Sequence, residues 1–155
     1  MVLWFTGQPG SGKTTLTNRF IDDKLVGFMK IHPHRIVHID GDDLRDIVDN
    51  KDYSEEGRRE NINLAMNLAR FMDNKGFIVV VSLVSPYRDQ REELKMERNI
   101  AEFYLHTTDI RGKEDYFVED YEPPLHNFTD IDTNKPIEEC TDEVFDVYRQ
   151  MATVA

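Results

Sequence analysis

Cysteine is almost absent. Cys140 is the one thiol in 155 residues, so no internal disulfide can form, and nothing beside it has metal-ligand spacing. Disulfide-stapled scaffolds and structural zinc modules are excluded, and Cys140 reads as a packed residue of a late helix. Basic residues are scarce as well, with 19 Lys and Arg against 30 Asp and Glu and a net charge of −11. A face that neutralises nucleic-acid phosphates is therefore not expected, and a polyanionic ligand must be held by a local positive site built into a negative molecule. Long apolar runs are missing too. The longest, Phe77 to Val84, is interrupted by Ser82 and falls far below the roughly 20 residues that span a bilayer. Met1 enters a short apolar run with no basic flank, so no signal peptide or membrane segment is expected, and the setting is read as reducing and cytoplasmic. With no repeat and no low-complexity linker, residues 1–155 are expected to form a single domain.

Apolar runs alternate with helical patterns, as in successive βα units. Val2 to Thr6, Ile36 to Ile39 and Phe77 to Val84 read as strands buried on both faces of a parallel sheet. Glu102 to His106 and Phe128 to Asp132 are weaker strands. Helices are predicted over Lys13 to about Lys24, Ser54 to about Asn74, Pro86 to about Asn99 and Pro136 to about Met151. In the second of these Ile62, Ala65, Ala69 and Met72 follow helical spacing, and Lys75-Gly76 supplies the stop. Arg58 and Asn61 prolong that stripe by one turn and are polar where the pattern calls for apolar residues. They are expected to face the ligand crevice at the carboxyl edge of the sheet, while Arg59 and Asn63 point to solvent.

Gly7-Gln8-Pro9-Gly10-Ser11-Gly12-Lys13-Thr14 satisfies the full phosphate-loop pattern, between a buried strand and a helix. Glycines let the backbone curl until successive N–H groups and a helix N-terminus converge on an anion, a positive site that survives a large negative net charge. Lys13 is placed to reach the β- and γ-phosphates, and the Thr14 hydroxyl to bind Mg²⁺; ATP and Mg²⁺ are the expected cofactors. Pro9, Ser11 and Thr15 complete the loop and the first helical turn. A GTPase would carry Asn-Lys-x-Asp, but Asn134-Lys135-Pro136-Ile137 lacks the aspartate. The second strand ends in Asp40-Gly41-Asp42-Asp43-Leu44-Arg45, where Asp40 is placed to reach the metal and phosphates or to accept a proton from an attacking hydroxyl. Asp43 reads as a helix N-cap.

Together these pieces resemble the adenylylsulfate (APS) kinase family. The resemblance takes in the loop from Gly7, Asp40-Gly41-Asp42-x-x-Arg45, Tyr53-Ser54-Glu55-Glu56 followed by Arg58-x-Glu60-Asn61-Ile62, the strand from Phe77, Ser85-Pro86-Tyr87-Arg88, Tyr121-Glu122-Pro123-Pro124 and Asp132-Thr133. It implies a three-layer α/β P-loop kinase fold, a parallel sheet of about five strands in the order 2-3-1-4-5 with helices on both faces. It implies transfer of the γ-phosphoryl of ATP to the ribose 3′-hydroxyl of APS, forming PAPS, with Asp40 as the catalytic carboxylate near Mg²⁺. Asp42, Arg45, Arg58 and Asn61 are then acceptor-binding groups, Thr133 lies with the nucleotide, and Phe117 is an aromatic available to stack on a base. The partner is a small-molecule substrate, and a homodimer is left open. Ser85 matches a serine sometimes treated as a phosphorylated intermediate, but in-line transfer needs no enzyme nucleophile. Ser85-Pro86 instead reads as an N-cap with proline at the first helical position, its backbone still near the acceptor.

Two features depart from the family. Asn63 and Leu64 stand where the family continues with basic residues. A long basic lid is replaced by the short segment 107–120, whose cations are Arg111 and Lys113. A kinase of the same fold acting on another hydroxyl acceptor (a nucleoside, nucleotide or nucleic-acid 5′-end) remains an alternative, as does a nucleotide-binding module that no longer catalyses transfer.

Overall fold

Every residue of β1 (Val2–Thr6) is buried, and successive side chains enter opposite cores: Val2 and Trp4 one, Leu3 and Phe5 the other. Such a strand must have helices on both faces, and the computed structural model, which describes residues 1–97, 99–109 and 116–154, places it in the middle of the sheet. β2 (Ile36–Asp40), β3 (Ile78–Ser82), β4 (Ile100–His106) and β5 (Thr129–Asp132) join it in the order β2-β3-β1-β4-β5. All four pairings are parallel, which is the order and direction implied by the resemblance.

One face is covered by α2 (Gly41–Val48), α3 (Glu55–Asn74) and α4 (Arg88–Glu97), whose Leu44, Ile62, Ala65, Met66, Ala69 and Leu94 pack with Trp4, Val79 and Val81. The other face carries α1 (Lys13–Arg19) and α5 (Ile137–Val154), with Leu16, Cys140, Val144 and Tyr148 against Leu3, Phe5 and Phe103. Cys140 is a buried residue of the last helix, as expected. The first helix differs from its expected run to Lys24. Past Arg19 the chain widens into a π-helical segment, Phe20–Phe28. Phe20 and Leu25 are both fully buried in one core, and i→i+5 winding, seen in the 2.8 Å bond from Met29 N–H to the Lys24 carbonyl, keeps residues five apart on the same side. No helix among the described residues is long and apolar enough to cross a membrane.

Each strand ends in a polar residue: Thr6, Asp40, Ser82, His106 and Asp132. Register places Asp40 beside Ser82 and His106 beside Asp132. The chain leaves β1 for one side of the sheet and returns to its other side at β4, so the crevice above Thr6 is the point at which strand order reverses and where open α/β sheets bind ligands.

Candidate active site

The glycine-rich loop fills that crevice. A Cβ on Gly7 would lie 2.5 Å from the Leu105 carbonyl oxygen and 2.7 Å from Ser11 Oγ, so only glycine lets the loop turn this close to β4. Gly12 caps α1 in the left-handed region, at φ 94°, a conformation a side chain would strain. Lys13 folds back over the loop, and its Nζ donates to the carbonyls of Gly7 and Gln8, both at 2.9 Å, and to Ser11 Oγ at 3.4 Å. Burial pushes this ammonium down to about 8, with Asp40 and Asp42 opposing the shift. Thr133 secures the loop from the other side, donating to the Ser11 carbonyl at 2.8 Å and the His106 carbonyl at 3.1 Å. Thr15 is exposed on α1.

Asp40 closes β2 and gathers three donors. Thr14 Oγ1 donates to its Oδ2 at 3.0 Å, Ser82 Oγ to the same oxygen at 3.1 Å, and the Asp42 N–H to Oδ1 at 3.0 Å. The last bond makes Asp40 the N-cap of α2, which corrects the expectation for Asp43. A capping side chain must reach the N–H groups of the first turn from an extended residue just ahead of the helix, and Asp40, not Asp43, stands there. Asp42 itself is exposed and contributes its backbone. Behind Ser82, at 2.8 Å, lies His38 Nε2, which also meets Thr17 Oγ1 at 3.3 Å. Since both hydroxyls direct their protons elsewhere, Thr17 to the Lys13 carbonyl and Ser82 to Asp40, the network assigns the proton to Nε2. Burial lowers the His38 pKa, with Asp40 and Asp43 opposing.

Thr14 and Asp40 form an oxygen-only donor pair at the phosphate loop, which suits Mg²⁺. No group of three or more potential ligands occurs among the described residues. Two protein oxygens leave most of the octahedral shell of Mg²⁺ to water and to a nucleotide's phosphates, the usual way this ion is held.

On the other wall Arg58, partly exposed, lies 3.7 Å from Asp120. Asn61 is buried, and its Oδ1 finds no hydrogen-bond partner. It lines a groove of about 430 Å³ with Val48, Asn50, Asp52 and Leu64, so the two predicted neighbours turn to different surroundings. Arg45 is engaged by its own loop. Its Nη1 donates to the Asn50 and Asp52 carbonyls at 3.1 and 3.0 Å, and its guanidinium sits 4.2 Å from the centre of the Tyr53 ring. Arg59 and Asn63 do not simply face solvent. Arg59 pairs with Asp89 at 2.9 Å and lies over Tyr87, and Asn63 accepts from Gln90 at 3.0 Å, so both hold α4.

Ser85 is not an N-cap, because α4 begins at Arg88. Ser85 is left-handed, φ 38°, whereas a capping residue is extended. Its hydroxyl accepts from Trp4 Nε1 at 3.0 Å and donates to the Leu83 carbonyl at 3.3 Å. The Arg88 N–H is satisfied instead by Glu122 Oε1 at 2.9 Å. Around it the Ser85-Pro86 and Tyr121-Pro124 motifs dock: Glu122 N–H donates to the Pro86 carbonyl at 2.9 Å, Arg88 to the Pro123 carbonyl at 2.7 Å, and Tyr121 meets Thr6 at 2.8 Å. Burial raises the Tyr121 phenol pKa, with Arg91 opposing.

Pattern reading missed the residue that anchors this junction. Arg91 is buried and donates to Glu102 on β4 at 2.7 Å, to the Ser85 carbonyl at 2.5 Å and to the Glu122 carbonyl. Lys95 joins Glu102 at 2.6 Å. The clue lay in Glu102, an acid in an otherwise apolar strand. Phe117 is exposed beside buried Val118, while Arg111 and Lys113 lie outside the described residues.

A model of the adenylylsulphate kinase family matches residues 1–140, which take in all five strands, the phosphate loop and the start of α5. The chain belongs to this family. The adenylyl-sulfate kinase of Oceanobacillus iheyensis is 31% identical over 146 residues, 89% of this chain and 70% of that protein. The bifunctional enzyme NodQ of Rhizobium meliloti is 39% identical over 111 residues, 68% of this chain but 16% of that much longer protein. The structure of the Mycobacterium tuberculosis APS kinase CysC in complex with AMPPNP and APS superposes with a TM-score of 0.77, covering 96% of each chain at 21% identity. The adenylylsulphate kinase fold is thus retained nearly end to end, with the phosphate loop and the Asp40 turn at its strand ends.

Proposed function

We propose that the chain is an ATP- and Mg²⁺-dependent kinase that phosphorylates the ribose 3′-hydroxyl of APS, giving PAPS. One observation carries this reading: in a member of this family, Lys13, Thr14 and Asp40 meet at the phosphate loop, with the Thr14 hydroxyl 3.0 Å from the Asp40 carboxylate. A triphosphate entering the loop draws Lys13 from the Gly7 and Gln8 carbonyls to its β- and γ-oxygens, where charge builds up during transfer. Asp40 takes the proton of the 3′-hydroxyl as the new O–Pγ bond forms and the Pγ–O bond to ADP breaks. Bound with the nucleotide, Mg²⁺ would be held by Thr14 and Asp40 and would neutralise the phosphate charge. Ser82, backed by His38, and the Asp42 N–H fix the carboxylate's orientation. Arg58 supplies the cation for the acceptor's phosphosulfate, and Asn61 and Arg45 stand on the same side of the fold. The acceptor is a small molecule, since the net charge of −11 disfavours a nucleic acid. The free, buried thiol of Cys140 suits a reducing, cytoplasmic setting.

The test is a phosphoryl-transfer assay with ATP, Mg²⁺ and a panel of acceptors: APS, AMP, adenosine, gluconate and a 5′-hydroxyl oligonucleotide. Transfer to APS ahead of the others is expected, and preferential transfer to another acceptor would replace the substrate while keeping the reaction class.

A further inference from the structure

Gln8 belongs to the phosphate loop by sequence, yet its side chain leaves the loop. Its Oε1 accepts from the Val118 N–H at 2.9 Å and its Nε2 donates to the Val118 carbonyl at 2.8 Å. One amide thus satisfies both backbone groups of a residue far along the chain, as a neighbouring strand would. Val118 is 6% exposed, so water cannot readily replace the bond to its N–H, and leaving that donor unpaired is costly; its carbonyl also accepts from the Tyr121 N–H at 3.3 Å. The Gln8 carbonyl meanwhile accepts from Lys13 Nζ at 2.9 Å and from the Ser11 N–H at 3.1 Å. The residue therefore faces the donor phosphates through its main chain and the returning segment through its side chain.

That segment reaches both the acceptor wall and the end of β1: Asp120 lies 3.7 Å from Arg58, and Tyr121 meets Thr6 at 2.8 Å, with Phe117 directly ahead of Val118 in the chain. We propose that Gln8 is a positioning residue that ties the phosphate loop to residues 117–121, so that the donor loop sets the geometry of the acceptor wall. Gln8 acts through Val118 and touches no reacting atom. An apolar side chain of equal length would fill the same space but release Val118, while Tyr121 and Glu122 stay anchored at Thr6 and Pro86, because only the amide reads both groups of the Val118 backbone.

This proposal rests on the assignment of Arg58 to the acceptor, and its test separates the two. In Gln8→Met, which keeps the length and loses both bonds, amide hydrogen exchange at Val118 and its neighbours to Tyr121 should quicken at least tenfold in the ligand-free protein. The KM for APS should rise about tenfold while the Kd for ATP shifts less than threefold. Unchanged exchange at Val118 overturns the proposal, as does a loss that falls on ATP affinity with the APS KM intact. If wild-type protein does not phosphorylate APS, the functional reading fails, and the exchange measurement still decides whether Gln8 holds the segment.

Discussion

Thr14 and Asp40 meet across the crevice, the hydroxyl of the first α1 turn donating to the carboxylate at the end of β2 over 3.0 Å. Asp40 also caps α2, and asparagine caps as well as aspartate. Asp40→Asn should therefore melt within a few degrees of wild type while its kcat falls by about 10²-fold or more, as expected for loss of a proton acceptor beside the phosphates. Full activity in a folded Asp40→Asn protein removes this carboxylate from the reaction.

The buried ammonium of Lys13 should make nucleotide binding depend on pH. Burial lowers its pKa from 10.5 to about 8, so in the free protein it is charged below that value and neutral above, whereas bound phosphates favour the charged form. Affinity for ATP should then fall as pH rises above about 8, by at most about tenfold per unit, and binding should take up protons. The free protein shows the opposite slope in stability. Its unfolded chain holds the proton up to 10.5, so folding gains as pH climbs from about 8 to that value. Calorimetry of ATP binding in buffers of different ionisation heat should show greater proton uptake at pH 9 than at pH 7; equal uptake contradicts the assignment.

Arg58 is partly exposed, and its carboxylate partner Asp120 lies at 3.7 Å, a loose pairing that an anionic ligand can displace. Arg58→Ala should weaken the acceptor by roughly tenfold to a hundredfold, about 1.5 to 3 kcal/mol for one charge-assisted contact, with ATP affinity nearly unchanged. Arg45→Ala should cost more than acceptor affinity alone, because its guanidinium also holds the Asn50 and Asp52 carbonyls. Separate acceptor and nucleotide titrations check both, and a loss confined to ATP reverses the two pockets.

Glu102 compensates two buried cations, Arg91 at 2.7 Å and Lys95 at 2.6 Å. Glu102→Gln keeps the volume and removes the charge, and breaking a buried pair in this way costs about 3 to 5 kcal/mol. Urea unfolding should show that loss, together with easier proteolysis near residues 121–124, whose Glu122 carbonyl depends on Arg91. A change below about 1 kcal/mol would mean that water reaches the pair.

The strands were readable because a parallel strand covered on both faces needs an almost continuous apolar run, as in Val2–Thr6 and Ile78–Ser82. The phosphate loop was readable because its glycines and Lys13 act at fixed spacing along the chain. Features decided by distant partners were not. The start of α4 moved from Pro86 to Arg88 because the Ser85 hydroxyl is held by Trp4 and the Arg88 N–H by Glu122, 34 positions away. Asp40 took the cap assigned to Asp43 because of where β2 ends. The Gln8–Val118 pair spans 110 positions, beyond any periodic signal, and Asn61 looked equivalent to Arg58 on a helical stripe but lies on the flank that faces the loop after α2.

The most direct measurement of the central claim is to incubate the protein with ATP, Mg²⁺ and APS and to locate the transferred phosphate by ³¹P NMR and mass spectrometry. Stoichiometric ADP is expected, with a product carrying the new phosphate on the ribose 3′-oxygen, the phosphosulfate intact and no product from Lys13→Ala. ADP release with APS left unmodified, or phosphate found at any other position, would contradict that claim.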